Sequence, residues 1–166
     1  MPLDATVGTA TANSYVTVAE ANSYFADRAH SSAWVTATNK DQLLMSASRM
    51  LDWMLNFNGS RIYSTQVMQF PRIGVIKRDG VEVPETIIPQ EVKFAVFELA
   101  LSSVKKDRTV ESALAGIESL EAGPLAIKTS KGYENPSPRV IPDYIRQILV
   151  DFIVSSGMSV VRLMRA

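Results

Sequence analysis

Leu43, Leu44, Ala47, Met50, Leu51 and Met54 recur at spacings of three and four, which puts them on one stripe of an α-helix spanning Asn39 to Phe57. That stripe is a buried face. Asn39 with Gln42 three residues on resembles a capping box, and Asn56, Asn58 and Gly59 supply residues that tolerate a left-handed stop. Trp53 falls off the stripe, beside Arg49 and Gln42. Two roles fit it: filling a groove under the following loop, or anchoring a partner chain, as buried Trp does at interface hot spots.

The same pattern organises the rest of the chain around this helix. Residues Met1 to Ser14 are small and polar and predict a flexible arm or one short strand, with Tyr15, Val16 and Val18 as the first anchors. Thr17 with Glu20 is a capping box for a short helix to about Arg28, whose Tyr24 and Phe25 face inward. His30 and Trp34 fall in the connection that follows, with Trp34 covering the core from the loop side. Phe70-Pro71-Arg72-Ile73-Gly74-Val75 is a rigid corner. Lys77 to Gly80 is an exposed turn, and Val81 to Val83 a short strand. Pro89 opens a second long helix to about Lys105, in which Val92, Ala95, Val96, Leu99, Ala100 and Ser103 share a face and Phe94 and Phe97 flank it. Two flanking rings predict burial on more than one side.

Beyond Lys105 the pattern loosens. Ser112 to Gly116 is Ala-rich, and Ile117 to Leu120 and Leu125 to Ile127, separated by Glu121-Ala122-Gly123-Pro124, predict a β-hairpin. Lys131 to Ser137 is a loop. Pro142 starts a last helix with Tyr144, Ile145, Ile148, Leu149, Phe152 and Ile153 on one face, ending near Ser155 to Gly157. The tail alternates, with Val161 and Leu163 on one side and Arg162 on the other. An extended tail without a strand of its own to pair with is suited to adding to a sheet on another chain. The fold class expected is mainly α: a small helical bundle with a β-hairpin extension and an extended C-terminal tail. Three parts follow, residues 1–109 as a helical core with an N-terminal arm, 110–140 as the hairpin and loop extension, and 141–166 as the C-terminal helix and tail.

Composition narrows the function. The chain has 166 residues and 46% apolar content, enough for one core, and 17 basic residues cancel 17 acidic ones. Generic phosphate-driven DNA binding normally shows a basic excess, so strong binding of that kind is disfavoured. Charge drifts only mildly, from three basic against five acidic residues in 1–60 to six against three in 128–166. The absence of cysteine removes disulfides and thiolate metal sites and fits a reducing cytoplasm. No apolar run approaches the roughly 20 residues that cross a bilayer, and the first thirty residues lack a secretion signal, so a soluble protein is expected.

Candidate chemistry is sparse. His30 is the only histidine, which removes the commonest general base and most zinc sites. Glu91, Glu98 and Asp52 are the carboxylates that acid–base chemistry could use, although helical carboxylates among lysines are more often solvated surface. No Gly-rich run precedes Lys-Ser or Lys-Thr at a helix start. The basic groups Lys77-Arg78 and Lys105-Lys106 with Arg108 fit solvated loop ends as well as phosphate contacts. No catalytic residue, cofactor or metal is assigned, and a non-enzymatic protein is expected.

The order of phrases then matters more than any one of them. Asn13-Ser14-Tyr15-Val16-Thr17 with Ala19-Glu20-Ala21 and Tyr24-Phe25, then Trp34, Ala47-Ser48-Arg49-Met50-Leu51-Asp52, Phe70-Pro71-Arg72 with Gly74-Val75, Ile88-Pro89 with Glu98-Leu99-Ala100, Gly123-Pro124 and Val161-Arg162-Leu163 together resemble the head-to-tail adaptor (connector) proteins of tailed bacteriophages. Members often carry the label "DnaT-like putative ssDNA-binding protein". The resemblance runs over nearly the whole chain and is least at the first twelve residues and at Lys131 to Arg139.

The resemblance implies a structural adaptor that assembles as a homo-oligomeric ring of twelve copies below the portal protein of the virion. Such a ring extends the channel through which genomic double-stranded DNA passes and joins head to tail through a downstream neck or tail protein. Its location would be the virion neck, after assembly in the host cytoplasm, with no membrane contact. A head-to-tail ring needs two different self-contacting faces, for which Trp53, Phe94 and Phe97 are the candidate subunit-interface residues. Val160, Val161, Arg162, Leu163, Met164 and Arg165 are the candidate portal-docking residues. The alternative function is a replication-associated protein that binds single-stranded DNA by stacking bases on Trp34, Trp53 or tyrosines beside Lys and Arg.

Overall fold

The computed structural model describes residues 2–104, 119–122, 125–128 and 140–154. Among these described residues, five helices and four short strands follow in order: α1 (Val18–Ala26), α2 (Ser32–Thr36), α3 (Lys40–Met54), β1 (Ser60–Arg61), β2 (Arg72–Ile73), α4 (Gln90–Val104), β3 (Ser119–Ala122), β4 (Leu125–Lys128) and α5 (Asp143–Ile148). The fold is mainly α with small antiparallel pairings.

The centre is the packing of α3 on α4. Leu43, Leu44, Ala47, Met50 and Leu51 of α3 are buried, as their spacing requires. Met54 is not: it ends the helix and stands exposed, because Leu55 turns the chain into extended backbone there. On α4 the buried run Val92, Ala95, Val96, Phe97, Glu98, Leu99 and Ala100 goes round the helix, since α2, α3 and α5 all pack on it. Pro89 sits where expected, its carbonyl accepting from the Val92 and Lys93 amides.

At α1 the capping box is complete: the Glu20 amide donates to the Thr17 hydroxyl at 3.2 Å, and the Thr17 amide donates to the Glu20 carboxylate at 2.8 Å. At α3 it is missing. Asn39 has φ −108° and ψ 41°, away from the extended backbone a cap requires, and its side chain makes no cap bond.

Three further expectations change. The N-terminal arm is a closed loop gathered by Asp4, whose carbonyl accepts the Asn13 and Ser14 amides at 2.9 and 3.1 Å while its carboxylate accepts Thr6 and Thr11. Trp34 is in a helix, α2, and is 1% exposed. The last helix stops at Ile148. The backbone after it pairs with residues following α3, with the Asn58 amide on the Phe152 carbonyl and the Val154 amide on the Asn56 carbonyl, both at 2.8 Å. Those pairings replace helix continuation; Leu149 and Phe152 stay buried and Tyr144 stands half exposed.

The hairpin forms as patterned, β3 against β4 in register from Ser119 with Lys128 to Ala122 with Leu125. A second, shorter pairing joins β1 to β2. Gly59 leads into it with φ 72°, and a Cβ there would lie 2.3 Å from the Ile73 carbonyl oxygen, so only glycine fits. The tail residues Val160 to Arg165, the Ala-rich bridge and the Lys131 to Ser137 loop lie outside the described residues.

Candidate nucleic-acid interface

A helix with one buried stripe must turn its other positions to solvent. On α3 those positions hold Arg49 and Trp53, one turn apart and therefore stacked along the same face. Trp53 is 73% exposed. The Arg49 guanidinium lies over its ring, 5.7 Å from the centroid, within range of a cation–π contact. Among the described residues Arg49 makes no ion pair, unlike Arg28, Lys77, Arg78 and Lys93, which hold Glu98, Glu91, Asp151 and Glu20.

Beside the ring opens a cleft of about 240 Å³ with three walls. Arg49, Asp52 and Trp53 form the α3 wall, Ala12 and Asn13 the second, and Val67, Met68 and Gln69 the third. One buried cluster ties the three together. The Tyr15 hydroxyl donates to Asp52 Oδ1 and accepts the Gln69 and Phe70 amides at 3.0 and 3.2 Å. Asp52 Oδ2 also accepts the Gln69 amide, at 3.1 Å. Burial pushes the Asp52 carboxyl up to about 6, against the pull of Tyr15, the Gln69 amide and the charges of Arg72 and Arg61. Burial, then the neighbouring Asp52, drives the Tyr15 hydroxyl well above its ordinary 10.

Behind the third wall stands Arg72. Its guanidinium donates to the carbonyls of Phe57, Asn58 and Gly59, and to the carbonyl and Oε1 of Gln69 at 3.1 and 2.8 Å. Gln66 adds bonds from Nε2 to the Met68 and Pro71 carbonyls. The wall is therefore held from inside while Val67 stays exposed toward solvent. The open surface continues past Val67, whose amide reaches the Thr9 carbonyl at 3.4 Å, to Tyr63. That half-exposed ring rests on Gly8, where a Cβ would come within 2.8 Å of it.

The other candidate residues are elsewhere. Phe97, expected at a subunit interface, is 2% exposed and stacks on Tyr24 at 4.8 Å. Phe94 is partly buried, 5.3 Å from the same ring. Both belong to an internal aromatic cluster with Phe25, so Trp53 alone of the three presents its ring to solvent. Trp34 cannot stack a base: it is buried against Phe25, and its Nε1 donates to Asn22 at 3.0 Å. Glu98, expected on a solvated surface, is buried and held by Arg28 at 2.5 and 2.8 Å and by the Tyr24 hydroxyl at 2.8 Å. Burial and Glu98 together raise that hydroxyl to about 12. Among the described residues, no group of three or more His, Cys, Asp or Glu could hold a metal, and no helix is long and apolar enough to cross a membrane.

The family model described as "Putative DnaT-like ssDNA binding protein" matches residues 1–166. The chain belongs to that family. No curated protein and no solved structure matches it. Membership in the DnaT-like family corrects the expectation of a virion head–tail connector: the matched description points to single-stranded DNA binding, and nothing in the comparisons supports a phage adaptor. Sequence reasoning found Trp53 and Arg49 through their place off the apolar stripe. It missed that Tyr15, Asp52 and Gln69 act as a unit; the one available signal was a carboxylate directly following the stripe residue Leu51.

Proposed function

We propose that the protein binds single-stranded DNA at the α3 face, with a base stacked on Trp53 and Arg49 beside it to meet a phosphate. The family description supports the reading. The observation that carries it is a tryptophan ring 73% exposed under a guanidinium with no ion pair among the described residues. Base–aromatic stacking needs a π face and tolerates any sequence. In a chain of net charge zero, stacking rather than phosphate neutralisation supplies most of the affinity.

The test is an anisotropy titration of dye-labelled short oligo(dT), which reads the wild type and a Trp53 variant alike; Trp34 is buried, so quenching of intrinsic fluorescence in the wild type reports on Trp53. Trp53→Ala should weaken binding about 5- to 150-fold, the range of 1–3 kcal/mol per stacked base, without changing the thermal melt, because the ring is exposed. Unchanged affinity in that variant rejects the site.

A further inference from the structure

One stacked base leaves its neighbours on the strand to meet whatever surface adjoins Trp53. Across the cleft that surface is Val67, which is 58% exposed. Here the second and third walls are joined, because the Val67 amide reaches the Thr9 carbonyl at 3.4 Å. Past this joint the ring of Tyr63 lies on Gly8, the residue before Thr9, and is 49% exposed. Exposed apolar side chain therefore runs from Trp53 across Val67 to Tyr63.

The second ring is held in place. The Tyr63 amide donates to Gln66 Oε1 at 3.2 Å, and its carbonyl accepts the Gln66 amide at 3.3 Å. Gln66 is itself buried, with Nε2 on the Met68 and Pro71 carbonyls. Gly8 backs the ring so closely that a Cβ there would stand 2.8 Å from Cε2, and its φ of 74° is one that glycine adopts freely. A ring with a fixed backbone and one side already packed loses less freedom when a base covers it.

The charge of this stretch suits a polyanion. From Trp53 to Ile76 the chain carries two arginines and no aspartate or glutamate. Arg61 is exposed and, like Arg49, makes no ion pair among the described residues. Its Nη1 donates to the Gln66 carbonyl at 3.1 Å, which holds the guanidinium on the loop that carries Tyr63 and Val67. Asp52, the carboxylate that lines the cleft, is engaged by the Tyr15 hydroxyl and the Gln69 amide.

We propose that Tyr63 is a second stacking platform, so that one DNA strand crosses the cleft with a base on Trp53, another on Tyr63, and the chain between them over Val67. Arg49 and Arg61 stand at the two ends as the cations that meet its phosphates. This rests on the single-stranded DNA reading and extends it from one base to a strand path. Stacking on successive aromatic rings beside cations is sequence-tolerant, because every base has a π face.

The experiment titrates oligo(dT) of about eight nucleotides into the wild type, Tyr63→Ala and Tyr63→Phe. Anisotropy of a dye-labelled strand reads affinity, and Trp53 emission with an unlabelled strand reads stacking at the first ring. Tyr63→Ala is expected to weaken binding about 5- to 150-fold while the strand still quenches Trp53 at saturation. Tyr63→Phe keeps the ring and should bind close to wild type. Wild-type affinity in Tyr63→Ala, or a loss in Tyr63→Phe as large as in Tyr63→Ala, overturns the second platform and leaves the Trp53 site standing. Absence of Trp53 quenching in the wild type overturns the stacking reading itself. If Tyr63→Ala does not fold, photocrosslinking of the wild type to a strand of 5-iododeoxyuridine decides the matter. Adducts on both the Trp53 and the Tyr63 peptides support the path, and adducts at Trp53 alone overturn it.

Discussion

Asp52 shows how burying a single carboxylate works against the fold. Its carboxyl titrates near 6 in the folded chain and near 3.8 as a free side chain, so the folded state favours the proton. The contribution to stability is therefore full below about pH 4 and is lost as pH rises through 6. At roughly 1.4 kcal/mol per unit the loss is on the order of 3 kcal/mol. Asp52→Asn should erase it: in urea melts, the variant's stability relative to wild type should rise by that order between pH 4 and pH 8. A difference that stays flat with pH would mean that Asp52 is not desolvated as described. None of this was legible from sequence, because the partners of Asp52 lie 37 and 17 residues away and one of them is a backbone amide. Trp53 and Arg49 were legible, because a period of 3.6 residues alone sets which side of α3 they occupy.

Helix ends divide along the same line. Thr17 and Glu20 stand three apart, and the Thr17 backbone adopts the extended geometry at φ −91° and ψ 160° that lets both side chains reach. Asn39 has the right chemistry and the wrong backbone. Thr17→Ala should cost about 1 kcal/mol in a denaturant melt, and Asn39→Ala much less, since a cap bond lost is worth 0.5–2 kcal/mol. Equal costs would contradict the geometry. The long helices α3 and α4 and the hairpin β3–β4 could be read from pattern because each is a local, repeated signal. The early end of α5 could not. Its apolar period continues to Phe152 and Ile153, but residues 56–58 claim the backbone there, and no local pattern announces a partner nearly a hundred positions away.

For the molecule as a whole, Phe94 and Phe97, the two rings that flank the apolar face of α4, are absorbed inside, and Trp53 is not. Tyr24, Phe25, Phe94 and Phe97 pack on one another between α1 and α4. Among the described residues, four cations hold carboxylates and Arg72 holds carbonyls. A strand bound at the α3 face thus neutralises few phosphates. At about 0.7 per phosphate for single strands, the slope of log K against log salt should lie near −1. A titration series from 50 to 200 mM salt checks it, and a slope steeper than about −4 would place binding on a basic surface other than the Trp53 face.

Arg72 has a consequence for how the chain tolerates damage. From one side chain it grips the backbone at Phe57, Asn58 and Gly59 and again at Gln69, so both feet of the intervening stirrup are moored independently of its arch. The arch at Ser64 and Thr65 is exposed. A protease nick there would leave two loose ends, yet each would stay tethered by the same guanidinium, and the Gln69 wall would survive the cut.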